Sequence, residues 1–334
     1  METALSDTDI DWFAARFDDL ASNMERVIQG KRDVISQVVF CLLAEGHAIV
    51  EDVPGVGKTL LAKSLARSID CGFSRIQFTP DLLPSDVTGV SVWDRHKAEF
   101  EFKPGAIFAN IVIGDEINRA SPKTQAAMLE AMEERQVTND GVTRPLDTPF
   151  MVIATQNPLE HEGTYPLPEA QLDRFMMRVE VGYPSHETAV EILDTHGIRS
   201  TFIDLEPVVS AGDVSKMIEI AQQVEVAPSI KHYIVDLVEG TRNHPEILLG
   251  ASPRSALFLQ RVARVRAAAA GRGYVMPDDV KVLAKTVLGH RMALRPEAVI
   301  RGSGVHDVVE STLEHLRVPG TTPGSHLAPS PPAM

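Results

Sequence analysis

The sequence predicts an α/β protein, a doubly wound parallel sheet of five strands followed by an all-α domain, and three observations carry that prediction. Short apolar runs alternate with helix-period stretches as far as Tyr183-Pro184, the pattern that a parallel sheet with crossover helices requires. A glycine-rich turn, Val53-Pro54-Gly55-Val56-Gly57-Lys58-Thr59, lies between one such run and a helical stretch. Beyond residue 184 the strand pattern stops and only the helical period continues.

The elements follow in order. Ile10, Phe13, Phe17, Leu20, Met24 and Val27 recur at three- and four-residue steps, which predicts a first helix capped by Ser6 or Thr8 and ended by Gly30. A second helix is expected from Asp33 to Glu45. Strands are expected at His47 to Val50, Arg75 to Phe78, Ile111 to Ile113, Phe150 to Ala154 and Met177 to Val181. Val90 to Trp93 and Glu99 to Lys103 alternate as the two arms of a β-hairpin before Pro104-Gly105, and Asn139-Asp140-Gly141 marks another tight turn. Helical patterns then cover Glu187 to His196, Asp213 to Gln223, Ser229 to Thr241, Ser252 to Ala270 and Pro277 to His290. The expected domains are an N-terminal helix (1–30), an α/β domain (31–184) with a hairpin insert (90–103), a helical domain (185–317) and a disordered tail (318–334), whose Pro- and Gly-rich composition holds too little apolar surface to fold.

Composition narrows the function. The 334 residues suffice for a full core and, by domain-size statistics, for two domains. Hydrophobic residues make up 44% and charged residues 23%, with mean hydropathy −0.04, the balance of a soluble globular chain. A net charge of −14 and a pI near 5.2 repel phosphate backbones and anionic headgroups, which disfavours generic nucleic-acid or membrane binding, although a local basic pore is compatible with that sum. Two cysteines, Cys41 and Cys71, make neither a disulfide framework nor a metal cluster. The acidic first residues do not resemble a signal peptide, and no apolar run could span a bilayer, so a cytoplasmic location without direct membrane insertion is expected.

The chemistry begins at the glycine-rich turn. Its backbone N–H groups would face phosphates at a helix N-terminus, Lys58 would neutralise β- and γ-phosphate charge, and Thr59 would coordinate Mg²⁺. Asp52 occupies the position of the usual first glycine. Ile111 to Glu116 ends an apolar strand with two carboxylates. Asp115 is suited to hold hydrated Mg²⁺, and Glu116 to polarise or deprotonate an attacking water. Asn157, after the fourth strand, would orient that water. Arg174, just before the fifth strand, lies on the far side of the sheet from its own nucleotide and is placed to reach a neighbour's γ-phosphate; an ion pair with Asp173 or Glu169 is the competing reading. Ser252-Pro253-Arg254 opens a long helix, and Arg254 would contact phosphate of its own chain and report the nucleotide state through a moving lid.

These pieces together resemble the MoxR family of AAA+ ATPases. The resemblance lies in Asp115-Glu116-Ile117-Asn118-Arg119-Ala120, Lys103-Pro104-Gly105, Ala154-Thr155-Gln156-Asn157-Pro158, the run from Glu162 to Phe175, and Ser252-Pro253-Arg254, and it covers roughly residues 25–316. It implies a P-loop fold with a Walker A segment from Val53 to Thr59, Walker B at Asp115-Glu116, sensor 1 at Asn157, an arginine finger at Arg174 and sensor 2 at Arg254. It further implies an adenine-packing segment around Val27, Ile28 and Gly30, with Pro54, Gly55, Val56, Gly57 and Leu60 completing the ATP site. The hairpin matches an insert that faces a pore or client, and Arg119 is either a second contact in trans or a local salt bridge. The implied activity is Mg-dependent ATP hydrolysis by a homo-hexameric ring that remodels a protein client, in such families often one with a von Willebrand factor A domain. Two other readings are the ATPase subunit of a metal chelatase and a slow nucleotide-gated scaffold.

Overall fold

The computed structural model of the protein describes residues 5–53, 55–157, 164–196, 202 and 205–320. Pro54, residues 158–163 and the tail beyond 320 lie outside the described residues, and with them the roles expected of Pro54 and Pro158 and the disorder expected of the tail.

Helix α1 (Asp7–Glu25) starts at Ser6, whose hydroxyl accepts from the Asp9 N–H, and its stripe from Ile10 to Met24 is buried. It stops five residues short of the expected Gly30. The N–H groups of Val27 and Ile28 both bond to Met24 O, which closes the helix in a tight turn and buries both side chains. Helix α2 (Arg32–Leu43) follows and leads into β1 (Ala48–Glu51). Helix α3 (Lys58–Ile69) crosses to β2 (Phe73–Gln77), and the short helix α4 (Pro84–Thr88) leads to the hairpin β3 (Val90–Asp94) and β4 (Glu99–Lys103).

At the hairpin base the backbone approaches itself: a Cβ on Gly89 would stand 2.5 Å from Lys103 O and one on Gly105 2.3 Å from Val87 O, so no larger residue fits either position. Trp93 and Phe100 meet edge to face on the exposed hairpin, with ring centroids 5.1 Å apart.

Strand β5 (Ile111–Asp115) precedes α5 (Pro122–Glu134), the hairpin β6 (Gln136–Asn139) and β7 (Val142–Pro145), and β8 (Met151–Gln156). Asp140 and Gly141, both at positive φ, make the two-residue turn that the sequence marks. A short α6 (Glu169–Leu172) leads to β9 (Met177–Val179). The central sheet has the order β2-β5-β8-β1-β9, and every neighbouring pair is parallel. Its middle strands are buried on both faces, which is why they read as unbroken apolar runs rather than alternating ones.

The remainder is helical: α7 (His186–His196), α8 (Ala211–Gln223), α9 (Pro228–Asn243), α10 (Pro253–Ala269) and α11 (Pro277–Leu288), then α12 (Pro296–Ile300) and α13 (Val305–His315). A small antiparallel pair, β10 (Ile247–Leu249) with β11 (Ala293–Leu294), ties its loops. Helix α10 packs on α1, α2 and α8, and one continuous apolar core runs from α1 and α2 through one face of the sheet into α9, α10 and α11. A second core, around α5, fills the opposite face.

A buried imidazole ties this frame together. His47 accepts the Val152 N–H at Nδ1, and its Nε2 faces Met132 O at 3.0 Å, so the neutral ring protonated at Nε2 satisfies both contacts. Burial, the larger effect, pushes its pKa down to about 4. The unfolded chain therefore binds a proton that the folded one refuses between about pH 6.5 and 4, and stability falls as pH drops through that window. The expected contribution, about 3 kcal/mol, is read by comparing urea unfolding of wild type and His47→Gln across pH 4 to 7; the acid-side slope should be shallower in the variant.

Candidate nucleotide site

The phosphate loop leaves the C-terminal end of β1 and enters α3. Gly55 and Gly57 have φ of +86° and +94°, values that L side chains rarely adopt, and nothing lies within 4 Å of a Cβ built on either. The glycines are thus required by backbone shape, and open space remains in front of them. Asp52, at the usual first-glycine position, closes the loop instead of loosening it. Its carboxylate accepts the Val53 N–H at 2.7 Å and the Gly182 N–H at 2.6 Å, while its carbonyl accepts Lys58 Nζ at 2.7 Å. The loop is tied to the chain leaving β9.

Beside it is a cavity of about 420 Å³ lined by Val27, Ile28, Val56, Leu60, Val181 and Ile192, together with Gly55 and Gly57. Its apolar walls suit a flat heterocycle, with phosphates continuing toward Lys58. Gly30 does not line it. That residue takes φ +66° to turn the chain into α2, faces Thr188 and borders a separate cavity, so the expected adenine contact is corrected to a turn role.

Asp115, the last residue of β5, and Asn157, the residue after β8, both stand at the same C-terminal sheet edge and both are buried. Asp115 Oδ2 lies 3.3 Å from Thr59 Oγ1 and accepts Arg75 Nε at 2.7 Å, and its Oδ1 accepts Thr155 Oγ1 at 3.2 Å. Among the described residues no group of three His, Cys, Asp or Glu could hold a metal. The convergence of one hydroxyl and one carboxylate nevertheless fits Mg²⁺, which keeps several waters and takes its other ligands from phosphates.

Glu116 adopts a left-handed backbone, φ 59° and ψ 50°, and its N–H donates to Thr155 Oγ1, the hydroxyl that also bonds Asp115. The carboxylate accepts from Gln77 Nε2 and from Arg119 Nη1, each at 3.0 Å. Arg119 therefore makes the local salt bridge. Arg75, Gln77 and Thr155 escaped the sequence reading; the alternation Arg75-Ile76-Gln77 on an edge strand was the available signal, since it sets both polar side chains on one face.

Arg174 and Arg254 are found elsewhere. Arg174 Nε meets Glu133 Oε2 at 3.0 Å, rather than Asp173 or Glu169, and Arg254 Nη2 bonds the other oxygen of the same Glu133. Both arginines line a cavity of about 430 Å³ with Glu45, Gly46 and His47, the residues that precede β1. This is the N-terminal edge of the sheet. The length of β1 alone separates it from the phosphate loop by about 13 Å. The expected contact of Arg254 with its own chain's phosphate is therefore overturned: docking of α10 on α1 and α2 carries it to the opposite edge, next to Arg174.

Residues 47–177 match the ATPase family associated with various cellular activities (AAA), and residues 239–312 match the AAA lid domain. The chain is 50% identical to the uncharacterized protein YeaC of Bacillus subtilis over 89% of its own length and 93% of that protein's. It is 40% identical to chaperone MoxR1 of Mycobacterium tuberculosis, covering 89% and 80%, and 30% identical to protein MoxR of Methylorubrum extorquens, covering 92% and 96%. A crystal structure of a candidate ATPase from Cytophaga hutchinsonii superposes with a TM-score of 0.87 at 38% identity, over 93% of this chain and 97% of that one. With the nucleotide-loop fold, the helical lid domain and these relatives in agreement, the chain belongs to the MoxR family of AAA+ ATPases.

Proposed function

We propose that the protein hydrolyses Mg·ATP at interfaces between copies of itself, in a ring that we take to be a hexamer, and uses the cycle to remodel a protein client. One observation carries this reading: Lys58, Thr59, Asp115 and Glu116 gather at one sheet edge while Arg174 and Arg254 share Glu133 at the other, so a single protomer offers a cradle without finger and a finger without cradle.

In this reading the heterocycle of ATP rests on Val27, Ile28, Val56 and Leu60, and the N–H groups around Gly55 and Gly57 receive the phosphates at the N-terminus of α3. Lys58 exchanges its bond to Asp52 O for phosphate oxygens. Thr59 and Asp115 hold the hydrated Mg²⁺, which when bound neutralises charge on the phosphoryl oxygens. Glu116, released from Gln77 and Arg119, takes a proton from the attacking water, and Asn157 orients that water. The neighbour's Arg174 and Arg254 stabilise charge on the transferring phosphoryl group.

The name chaperone MoxR1 of one relative supports a protein client, and a von Willebrand factor A domain is the class we favour. A cytoplasmic site of action accords with the described residues, where no helix is long and apolar enough to cross a membrane.

Turnover assays test the enzymatic reading. Lys58→Ala should weaken ATP binding about 10- to 100-fold, the loss of one charge-assisted contact. Glu116→Gln should retain ATP and lower turnover about 100- to 10,000-fold. Unchanged turnover in Glu116→Gln would favour the scaffold reading instead. Held in the ATP state, Glu116→Gln should also retain a von Willebrand factor A protein that wild type releases.

A further inference from the structure

We propose that Glu133 is a positioning residue for hydrolysis, a carboxylate that holds Arg174 and Arg254 side by side as one unit for the γ-phosphate of the adjoining copy; this rests on the reading that the site is completed between copies. The three side chains come from three places. Arg174 precedes β9, Glu133 lies in the last turn of α5, and Arg254 lies in the first turn of α10, in the helical domain. Each oxygen of Glu133 takes one arginine.

Stability of the fold does not explain the trio. All three side chains are about one-third exposed, at 32%, 33% and 37%, a setting in which ion pairs contribute little. Both helix positions are also electrostatically wrong. A cation in the first turn of α10 and an anion in the last turn of α5 each oppose the local helix dipole. Two unfavourable placements that meet each other are what a site requires rather than what a helix requires.

The geometry supplies the function. Two guanidinium groups repel each other when brought to one phosphoryl group, and long side chains lose rotamer freedom on being fixed there. Glu133 offsets the repulsion and fixes both chains before the phosphate arrives, so less ordering is left to the transition state. Arg174 meets Glu133 Oε2 through Nε at 3.0 Å. The trio retains a net positive charge, and Arg261 lines the same cavity of about 430 Å³, so an incoming anion is attracted. Behind it, Asp173 accepts Ser252 Oγ at 2.9 Å and Arg291 Nε at 2.9 Å, which locks the residue next to Arg174 onto the start of α10. Through Glu133 the finger and the helical domain are therefore held in a single register.

The test uses full-length Glu133→Ala, Glu133→Gln and Glu133→Asp with steady-state ATP turnover, nucleotide affinity and complementation. Glu133→Ala should lower kcat about tenfold or more while KM and ADP affinity stay within about twofold, because the residue serves the neighbour's transition state and not its own nucleotide pocket. Glu133→Gln should show the same split, which secures the result should the alanine variant fold poorly, and Glu133→Asp should recover part of the lost kcat. Mixing Glu133→Ala with Glu116→Gln should restore turnover, since the second protein donates an intact trio to the first protein's cradle. Unchanged or raised kcat in Glu133→Ala and Glu133→Gln overturns the proposal. So does failure of the Glu133→Ala mixture where an Arg174→Ala mixture is rescued, and that result leaves the between-copies reading standing. Failure of both mixtures in assembled protein overturns the between-copies reading itself.

Discussion

Equimolar Arg174→Ala and Glu116→Gln proteins, each nearly inert alone, are expected to recover ATP turnover when mixed. Removing an arginine finger costs about 10³- to 10⁵-fold in kcat, and removing the water-activating carboxylate about 10²- to 10⁴-fold. The Arg174→Ala protomer keeps Lys58, Thr59, Asp115 and Glu116 at its C-terminal sheet edge. The Glu116→Gln protomer keeps Arg174, Arg254 and Glu133 at the other. Where the second adjoins the first in the correct order the site is whole, so random mixing yields about a quarter of interfaces complete in a ring of head-to-tail contacts. Recovery toward that fraction, measured after subunit exchange, supports a shared site. Assembled mixed rings that stay as inactive as either parent would show that Arg174 serves its own chain.

The second large effect concerns Arg291. Its guanidinium is buried, donating Nε to Asp173 Oδ1 at 2.9 Å and its other nitrogens to the carbonyls of Phe175, Met176 and Val287, with the Phe258 ring 5.0 Å away. Burial lowers its pKa to about 10, against the opposing pull of Asp173, so it stays charged at neutral pH. Arg291→Met preserves much of the volume but removes one donor from Asp173, which keeps Ser252 Oγ, and the guanidinium donors from the carbonyls of Phe175, Met176 and Val287. Breaking such a buried pair costs about 3–5 kcal/mol. Arg291→Lys keeps charge without the planar fork and should recover only part of this. Denaturant unfolding followed by far-UV circular dichroism checks the loss; a midpoint equal to wild type would mean that water replaces the guanidinium. Because Asp173 adjoins Arg174, turnover in Arg291→Met should fall even where the variant remains folded.

How much was legible in the sequence depended on the range of the interaction concerned. The middle strands β1, β5 and β8 are short apolar runs whose burial on both faces is a local property, and all five sheet strands appear within two residues of where periodicity puts them. The phosphate loop and Asp115-Glu116 were legible because strand, turn and helix are consecutive. Helix α5 escaped notice despite a clear start at Ser121-Pro122, whose hydroxyl accepts the Thr124 N–H, because it sits between two hairpins. The partners of Gln77 and Glu133 were invisible for a different reason: they lie 39 residues away for Gln77 and 121 for the Glu133–Arg254 pair, and no period encodes such contacts. The misplacement of Arg254 has the same origin. Its position at the start of a helix is local, but where that helix docks is decided by apolar contacts with α1 and α2.

The core shared by α1, α2, the sheet and the helical domain bears on how force is generated. Opening a hinge through that interior would expose side chains such as Phe13, Leu20, Leu259 and Val262 to water, and a close-packed interior resists shear rather than yielding to it. Each copy then behaves as a stiff wedge. In the ring proposed above, tilting of whole wedges against one another, driven as phosphate enters and leaves the seams, would be the softest route for motion, and the mechanical stroke would belong to the ring instead of to any flap within one chain.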